Sequence, residues 1–237
     1  MVPWWRWTPW PCSTVSMHKT VVIAHRGFHR DYPENTVEAF RAALDLGADG
    51  VEFDVQETAD GQFVIHHDDE IGGRSIGSLS LAEIAISRVG GGYRIPALHE
   101  ALEVVGRGLV LLVELKNVRS LEKFLAILRR YVDAAWTVLV SFDAALIEKL
   151  VVLAPDFPRI VIREPAGTGH TAAAAGFRQV PVGMVTADLV KEAHERGDLV
   201  FVWDGGEEEE LRRALRCGID VIMTDRPDVA IREVRKL

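Results

Sequence analysis

The sequence predicts an α/β protein built as an eight-fold (β/α) TIM barrel behind a short irregular N-terminal leader. Three observations carry that expectation. From Thr20 onward, short β-branched runs alternate with longer helical patterns, the rhythm of a parallel sheet with helices outside it. The 237 residues suit one such barrel, which typically takes about 250. Polar residues also collect at the C-terminal ends of the strand-like runs, the rim where a barrel builds its sites. An open doubly wound sheet is the competing architecture.

"TVVIAH" (20–25) reads as the first strand. "NTVEAFRAALDLGA" reads as a helix, with Asn35 at its N-cap, Glu38 three residues on, and Gly47 as the stop. "DGVEFDV" is the second strand. "TADG" turns the chain and "QFVIHH" returns, a hairpin-type signal. "DEIGGRSIGSLS" is rich in Gly and Ser and reads as a loop. "PALHEALEVVG" is helical, "LVLLVELK" a strand and "SLEKFLAILRRYVD" a helix. Strands "TVLVSF", "RIVIRE", "FRQVPV", "LVFVWD" and "IDVIMTD" follow, among helices "DAALIEKLVVLAP", "TADLVKEAHERGD" and "EEEELRRALRCG". That gives nine strand candidates, one more than the barrel uses.

The net charge of −8 argues against a broad nucleic-acid surface, while leaving room for a local cationic pocket. No apolar run reaches transmembrane length, so no stable membrane span is expected. Cys12 and Cys217 lie far apart without metal-type spacing, which favours a reducing, cytoplasmic compartment over a disulfide framework. Residues 1–19 differ from the rest. Four of the six tryptophans fall within the first ten positions, among Pro3, Pro9 and Pro11. The prolines interrupt both a secretory signal and a regular amphipathic helix, so this stretch reads as a disordered leader or as sequence upstream of a start at Met17. One barrel domain is expected over 20–237. Oligomeric state is left open.

Glu52 and Asp54 stand two residues apart on one strand and therefore share a face, opposite Val51, Phe53 and Val55. Glu114 and Lys116 share a face of the "VELK" strand by the same rule. Glu52, Asp54 and Glu114 are three hard oxygen donors, a ligand set for one divalent cation, Mg²⁺ or Ca²⁺. With Arg26 and Lys116 alongside, such a cation would balance the three acids and a phosphodiester. Buried ion pairs, such as Glu114 with Arg26, are the competing reading. His25 and His67 end strands read as adjacent, where imidazoles near neutral pKa suit the base and acid of a phosphodiester hydrolysis. His66 points the other way and reads as packing. His29, His99, His170 and His194 read as surface or helix residues.

"AHRGFHRDYPENTVEAFRAALDLGADGVEFDVQETADGQFVIHHDD" resembles the opening signature of the glycerophosphodiester phosphodiesterase family. "IPALHEAL", "LVELK", "VSFD", "AHERG", "FVW" and "GIDVIMTDRPD" match it in order, so the resemblance spans roughly residues 20 to 232. It implies a barrel that hydrolyses a small-molecule glycerophosphodiester to glycerol 3-phosphate and an alcohol. By that resemblance His25 and His67 are the acid–base pair, Glu52, Asp54 and Glu114 the metal ligands, and Arg26 and Lys116 the phosphate contacts. It also implies attack by the neighbouring glycerol hydroxyl and a cyclic phosphate that water opens. Trp203 matches an aromatic of the pocket wall, with barrel packing as its other reading. Asn35 lies in the family's P-E-N-T motif, but capping accounts for it. "WDGG" and "GGRSIG", which retains Arg74, depart from the family pattern. Two other functions compete: lysophospholipase D-like cleavage of lipid diesters, resting on the Trp-rich leader, and a non-catalytic anion-binding barrel.

Overall fold

The structure, a computed structural model, describes residues 20–162, 177–204 and 207–237. The Trp-rich leader with Cys12, the end of "RIVIRE", the stretch "PAGTGHTAAAAG" with His170, and residues 205–206 of "WDGG" lie outside the described residues. All nine strand candidates form strands: β1 (Val21–Ala24), β2 (Gly50–Glu57), β3 (Phe63–Ile65), β4 (Val110–Asn117), β5 (Thr137–Ser141), β6 (Arg159–Val161), β7 (Phe177–Pro181), β8 (Leu199–Asp204) and β9 (Val221–Thr224). Eight run parallel in the order β6-β5-β4-β2-β1-β9-β8-β7. The ninth resolves the surplus. β3 pairs antiparallel with β2, Val55 opposite Ile65 and Glu57 opposite Phe63, through the turn expected at "TADG". It is a hairpin arm, not a barrel strand.

The helices are α1 (Val37–Leu46), α2 (Leu81–Ala85), α3 (Leu98–Val105), α4 (Leu121–Tyr131), α5 (Ala144–Leu153), α6 (Ala187–Glu195), α7 (Glu208–Arg216) and α8 (Pro227–Val234). The two faces of the sheet bury different things. Inward side chains, among them Ile23, Leu112, Val140, Ile160, Phe177 and Phe201, form one apolar cluster. The terminal strands β6 and β7 both contribute to it, so the sheet is curled about a common interior. Outward Val51, Phe53 and Val55 join the larger core beneath the helices, where the Phe53 and Phe40 rings sit 5.8 Å apart.

Gly50 opens β2 against β4 at a distance no side chain tolerates. A Cβ there would come within 2.0 Å of the Val110 carbonyl oxygen. Further along the same pair the register slips. Val55 faces Leu115, but Gln56 faces Asn117, so Lys116 is an extra residue in a β-bulge. The segment read as a loop is more ordered than its glycines suggest. Glu70–Ile71 pairs with Arg74–Ser75 and a 3₁₀ turn spans Ile76–Ser78, because Ile76, Leu79 and Ile84 bury themselves in a satellite core with Val64. Among the described residues no helix is long and apolar enough to cross a membrane.

Candidate active site

The register between β2 and β4 builds the acidic centre. Asp54 lies directly opposite Glu114, and Glu52 shares the inward face of β2. One oxygen from each of the three carboxylates falls within 4.8 Å of the others, and all three residues are buried. The bulge residue Lys116 places Nζ 3.5 Å from Asp54 Oδ1 and 3.6 Å from Glu114 Oε1. Arg26 Nε is 3.3 Å from Asp54 Oδ2, and the Arg26 backbone N–H donates to Glu52 Oε2 at 3.0 Å. The expected competition between ion pairs and a cation site is thus not a choice, since Arg26 and Lys116 do pair with the acids. The Arg26 partner is Asp54, not Glu114.

Two close cations do not satisfy three buried acids. Burial, then the Asp54 and Glu114 charges, push the Glu52 carboxyl well above the usual carboxylate range. Burial and Asp54 raise Glu114 as well, against the pull of Lys116. Asp54 Oδ1 is buried without a hydrogen-bond partner. A buried carboxylate oxygen without a hydrogen bond, among three carboxylates, fits a hard divalent cation and fits a thiophilic one poorly.

Asn35 corrects the sequence reading. The helix cap is Thr36, whose hydroxyl accepts the Ala39 N–H. Asn35 has φ +57° and is buried; its Nδ2 donates to Asp54 Oδ2 at 2.7 Å and its Oδ1 accepts the Asp54 N–H at 3.3 Å. Arg26, φ +52°, is the other non-glycine residue with positive φ among those described, and the Asn35 N–H donates to its carbonyl. Left-handed backbone at non-glycine residues costs about 1–3 kcal/mol each and persists where the surroundings enforce it. Here the enforcing contacts are Glu52, Glu34 and Asp54. Gly27 completes the turn at φ +82°, so close to the start of α1 that a Cβ would lie 2.7 Å from the Ala39 carbonyl carbon. Asn35→Gly keeps the backbone and removes only the amide, so it is expected to lower activity by roughly 10–100-fold. Thr36→Ala is expected to cost about 1 kcal/mol of stability with kcat unchanged. Steady-state kinetics and thermal unfolding of the two variants separate these roles.

The histidines reach the rim by different routes. His25 follows β1 directly. Its Nδ1 lies 2.7 Å from Asp225 Oδ1 and its Nε2 3.8 Å from Glu52 Oε2. His67 does not close a neighbouring barrel strand, as had been expected. β1 and β3 share the edge of β2 opposite β4, β1 pairing at Gly50 and Val51 and β3 farther along at Val55 to Glu57. β3 runs back from the hairpin tip, returning the chain to the level of Asp54, whose carbonyl accepts the His66 N–H. His67 Nδ1 pairs with Asp68 Oδ1 at 2.9 Å. His66 is partly buried, in keeping with a packing role.

His29 departs from the surface role expected of it. Its Nε2 sits 3.0 Å from the same Asp225 oxygen that holds His25. Burial works against the charge on Asp225, but the hydrogen bonds from His25 and His29 outweigh it and keep the carboxyl well below the usual range. His99 and His194 lie on α3 and α6 with exposed side chains, as read. Neither Asp225 nor Glu34, which accepts from Arg26 at 2.8 Å, has a role assigned to it from sequence. The "TDRPD" and "PENT" strings held them, without a spacing that says which histidine or arginine they meet.

His25, Glu52 and Glu114 line a small cavity together with the interior side chains Leu112, Val140, Ile160, Phe201 and Met223. Trp203, one residue before the end of β8, is 39 % exposed and lies outside the packed interior. Arg74 lies out on its short hairpin in an exposed pair with Glu83. A wider depression of about 740 Å³ runs along α1 and α3 and contains none of the site residues.

A parallel barrel whose strand ends gather three buried carboxylates, two cations and a carboxylate-tethered histidine has the chemistry that hydrolysis of an anionic ester calls for. Residues 25–229 match the model of the glycerophosphoryl diester phosphodiesterase family. The chain is 30% identical over 241 residues to a glycerophosphodiester phosphodiesterase of Caldanaerobacter subterraneus subsp. tengcongensis, covering 92% of this chain and 99% of the relative. The crystal structure of glycerophosphodiester phosphodiesterase from Agrobacterium tumefaciens superposes with TM-score 0.75 at 26% identity, over 89% of this chain and 98% of that one. An Oleispira antarctica phosphodiesterase, solved in complex with its product sn-glycerol-3-phosphate, superposes with TM-score 0.77 over 92% of this chain and 97% of that one, and at 23% identity it attests the fold. The chain belongs to the glycerophosphoryl diester phosphodiesterase family.

Proposed function

We propose that this chain hydrolyses glycerophosphodiesters, releasing sn-glycerol 3-phosphate and an alcohol, with one Mg²⁺ or Ca²⁺ held by Glu52, Asp54 and Glu114. The observation that carries this reading is the buried three-carboxylate cluster, in which Asp54 Oδ1 has no hydrogen-bond partner and Lys116 comes no nearer than 3.5 Å, with His25 beside it, 3.8 Å from Glu52. When bound, the cation supplies charge withdrawal from the phosphate and lowers the pKa of a hydroxyl it meets. Arg26 and Lys116, each mostly buried beside the acids, stabilise the phosphate oxygens as charge develops on them. Each catalytic histidine spends Nδ1 on a neighbouring carboxylate, Asp225 or Asp68, which leaves Nε2 for the substrate. One imidazole takes the proton of the attacking hydroxyl and the other protonates the departing alkoxide. Trp203, exposed near the end of β8, is the candidate for the pocket wall. The product bound by the Oleispira antarctica phosphodiesterase is of the class this cleavage releases. The cytoplasm is the compartment that the scarcity of cysteine favours, with Cys217 free among the described residues.

The test is hydrolysis of glycerophosphocholine and glycerophosphoethanolamine in Mg²⁺, Ca²⁺ and EDTA. Activity is expected to fall about 10³-fold in chelator and to return with one of the two ions. Undiminished turnover in EDTA would remove the cation from the reaction.

A further inference from the structure

We propose that Gln56 is the positioning residue for His67, acting through the backbone of the segment that carries it. The proposal rests on the reading of His67 as half of the acid–base pair. Nothing in the covalent path makes His67 rigid. It follows a strand of only three residues, its ring is about one-third exposed, and its side chain's partner is the exposed Asp68 on the same loop. The β2–β3 ladder has already ended at Ile65, after which the His66 N–H donates to the Asp54 carbonyl.

Gln56 takes over where the ladder stops. Its side-chain Nε2 donates to the His66 carbonyl at 3.0 Å and to the Asp68 carbonyl at 2.7 Å, with the His67 carbonyl 3.4 Å away between them. One amide group thus spans the residues on both sides of His67. Gln56 is 1 % exposed, so these bonds face little competition from water, and losing them leaves carbonyls without their donor. The chemistry of the position is narrow. A carboxylate would face carbonyl oxygens with a like partial charge, an ammonium would bury a charge, and a hydrocarbon would offer no donor. Gln56 also sits at the β-bulge that contains Lys116, the partner of Asp54 and Glu114. One stretch of β2 therefore carries two acids of the cluster and the clamp for the distant histidine.

The experiment is a double-mutant cycle in the full-length protein, with Gln56→Met as the near-isosteric change and His67→Ala as the second arm. Misplacing a reacting group by about 1 Å costs on the order of 10²-fold, so Q56M is expected to lower kcat by about 10²-fold with KM within about twofold of wild type. The same substitution in the H67A background is expected to cause no further loss, because the group it positions is gone. A purely structural role would multiply the two losses and would overturn the proposal. So would a Q56M enzyme with wild-type kcat beside an inactive H67A. An H67A enzyme as active as wild type would instead overturn the acid–base reading of His67, and the proposal with it. Should Q56M melt below the assay temperature, Gln56→Asn, which keeps the donor on a shorter stem, carries the same cycle with the same outcomes.

Discussion

Glu52→Gln is expected to lower kcat/KM by about 10³-fold while making the chelated protein more resistant to heat. The first effect follows from removing one of three hard donors and with it the charge that holds a cation, a contribution of several kcal/mol to the transition state. The second follows from the geometry without a cation. Glu52 is buried beside Asp54 and Glu114, and burial together with those two charges makes its ionisation costly. Glutamine keeps an oxygen for the Arg26 N–H, which Glu52 now accepts at 3.0 Å, and it carries no charge to repel its neighbours. Thermal unfolding in EDTA, and then across a Mg²⁺ titration, reads both. The variant should start above wild type and respond little to the ion, whereas wild type climbs. A variant less stable than wild type in EDTA would show that the acids are already satisfied by Arg26 and Lys116.

Asp225→Ala is the second large effect, a fall in kcat of about 10² to 10⁴-fold, the range that a misplaced acid–base group forfeits. Without its oxygen, His25 loses the contact that fixes ring orientation and tautomer. Asp225→Asn should lie between alanine and wild type, since an amide oxygen still accepts but no longer offsets positive charge on the ring. Stability should show the pair as well. The hydrogen bond to Asp225 raises His29 above its ordinary 6.5 despite burial, so the stabilisation it carries is full below that value and is lost as pH rises through the raised pKa. The depressed Asp225 carboxyl contributes above its ordinary 3.8 and loses that contribution only as pH falls through its own low pKa. Melting temperature against pH should therefore decline on the alkaline side in wild type, and this component should be missing in the alanine variant.

Much of the architecture was legible because periodicity and burial agree. The inward pair Glu52 and Asp54 and the outward set Val51, Phe53 and Val55 follow from strand alternation alone. What was not legible depends on direction and on φ. The "QFVIHH" run has the composition of a barrel strand, and only its pairing with β2 reveals that it runs the other way. Asn35 stands in a sequence that any helix-cap pattern would claim. Its left-handed backbone turns the amide towards Asp54 and leaves the cap to Thr36. The Asp225 tether joins residues 200 positions apart, a distance no local pattern spans. Gln56 reads as an ordinary polar strand residue, since its partners are backbone atoms and a sequence carries no record of which carbonyls lie within reach.

The bulge in β4 has a consequence for length as well as identity. Lys116, which faces Asp54 and Glu114, is the residue that β4 spends beyond β2 between the pairs Val55–Leu115 and Gln56–Asn117. Deleting a single residue there would let the ladder run on regularly and bring Asn117 into the place of the ammonium group, with every other side chain of the acidic centre still encoded. The count of residues in that strand is therefore as much a part of the centre as the carboxylates, and a scan of substitutions alone would never detect it.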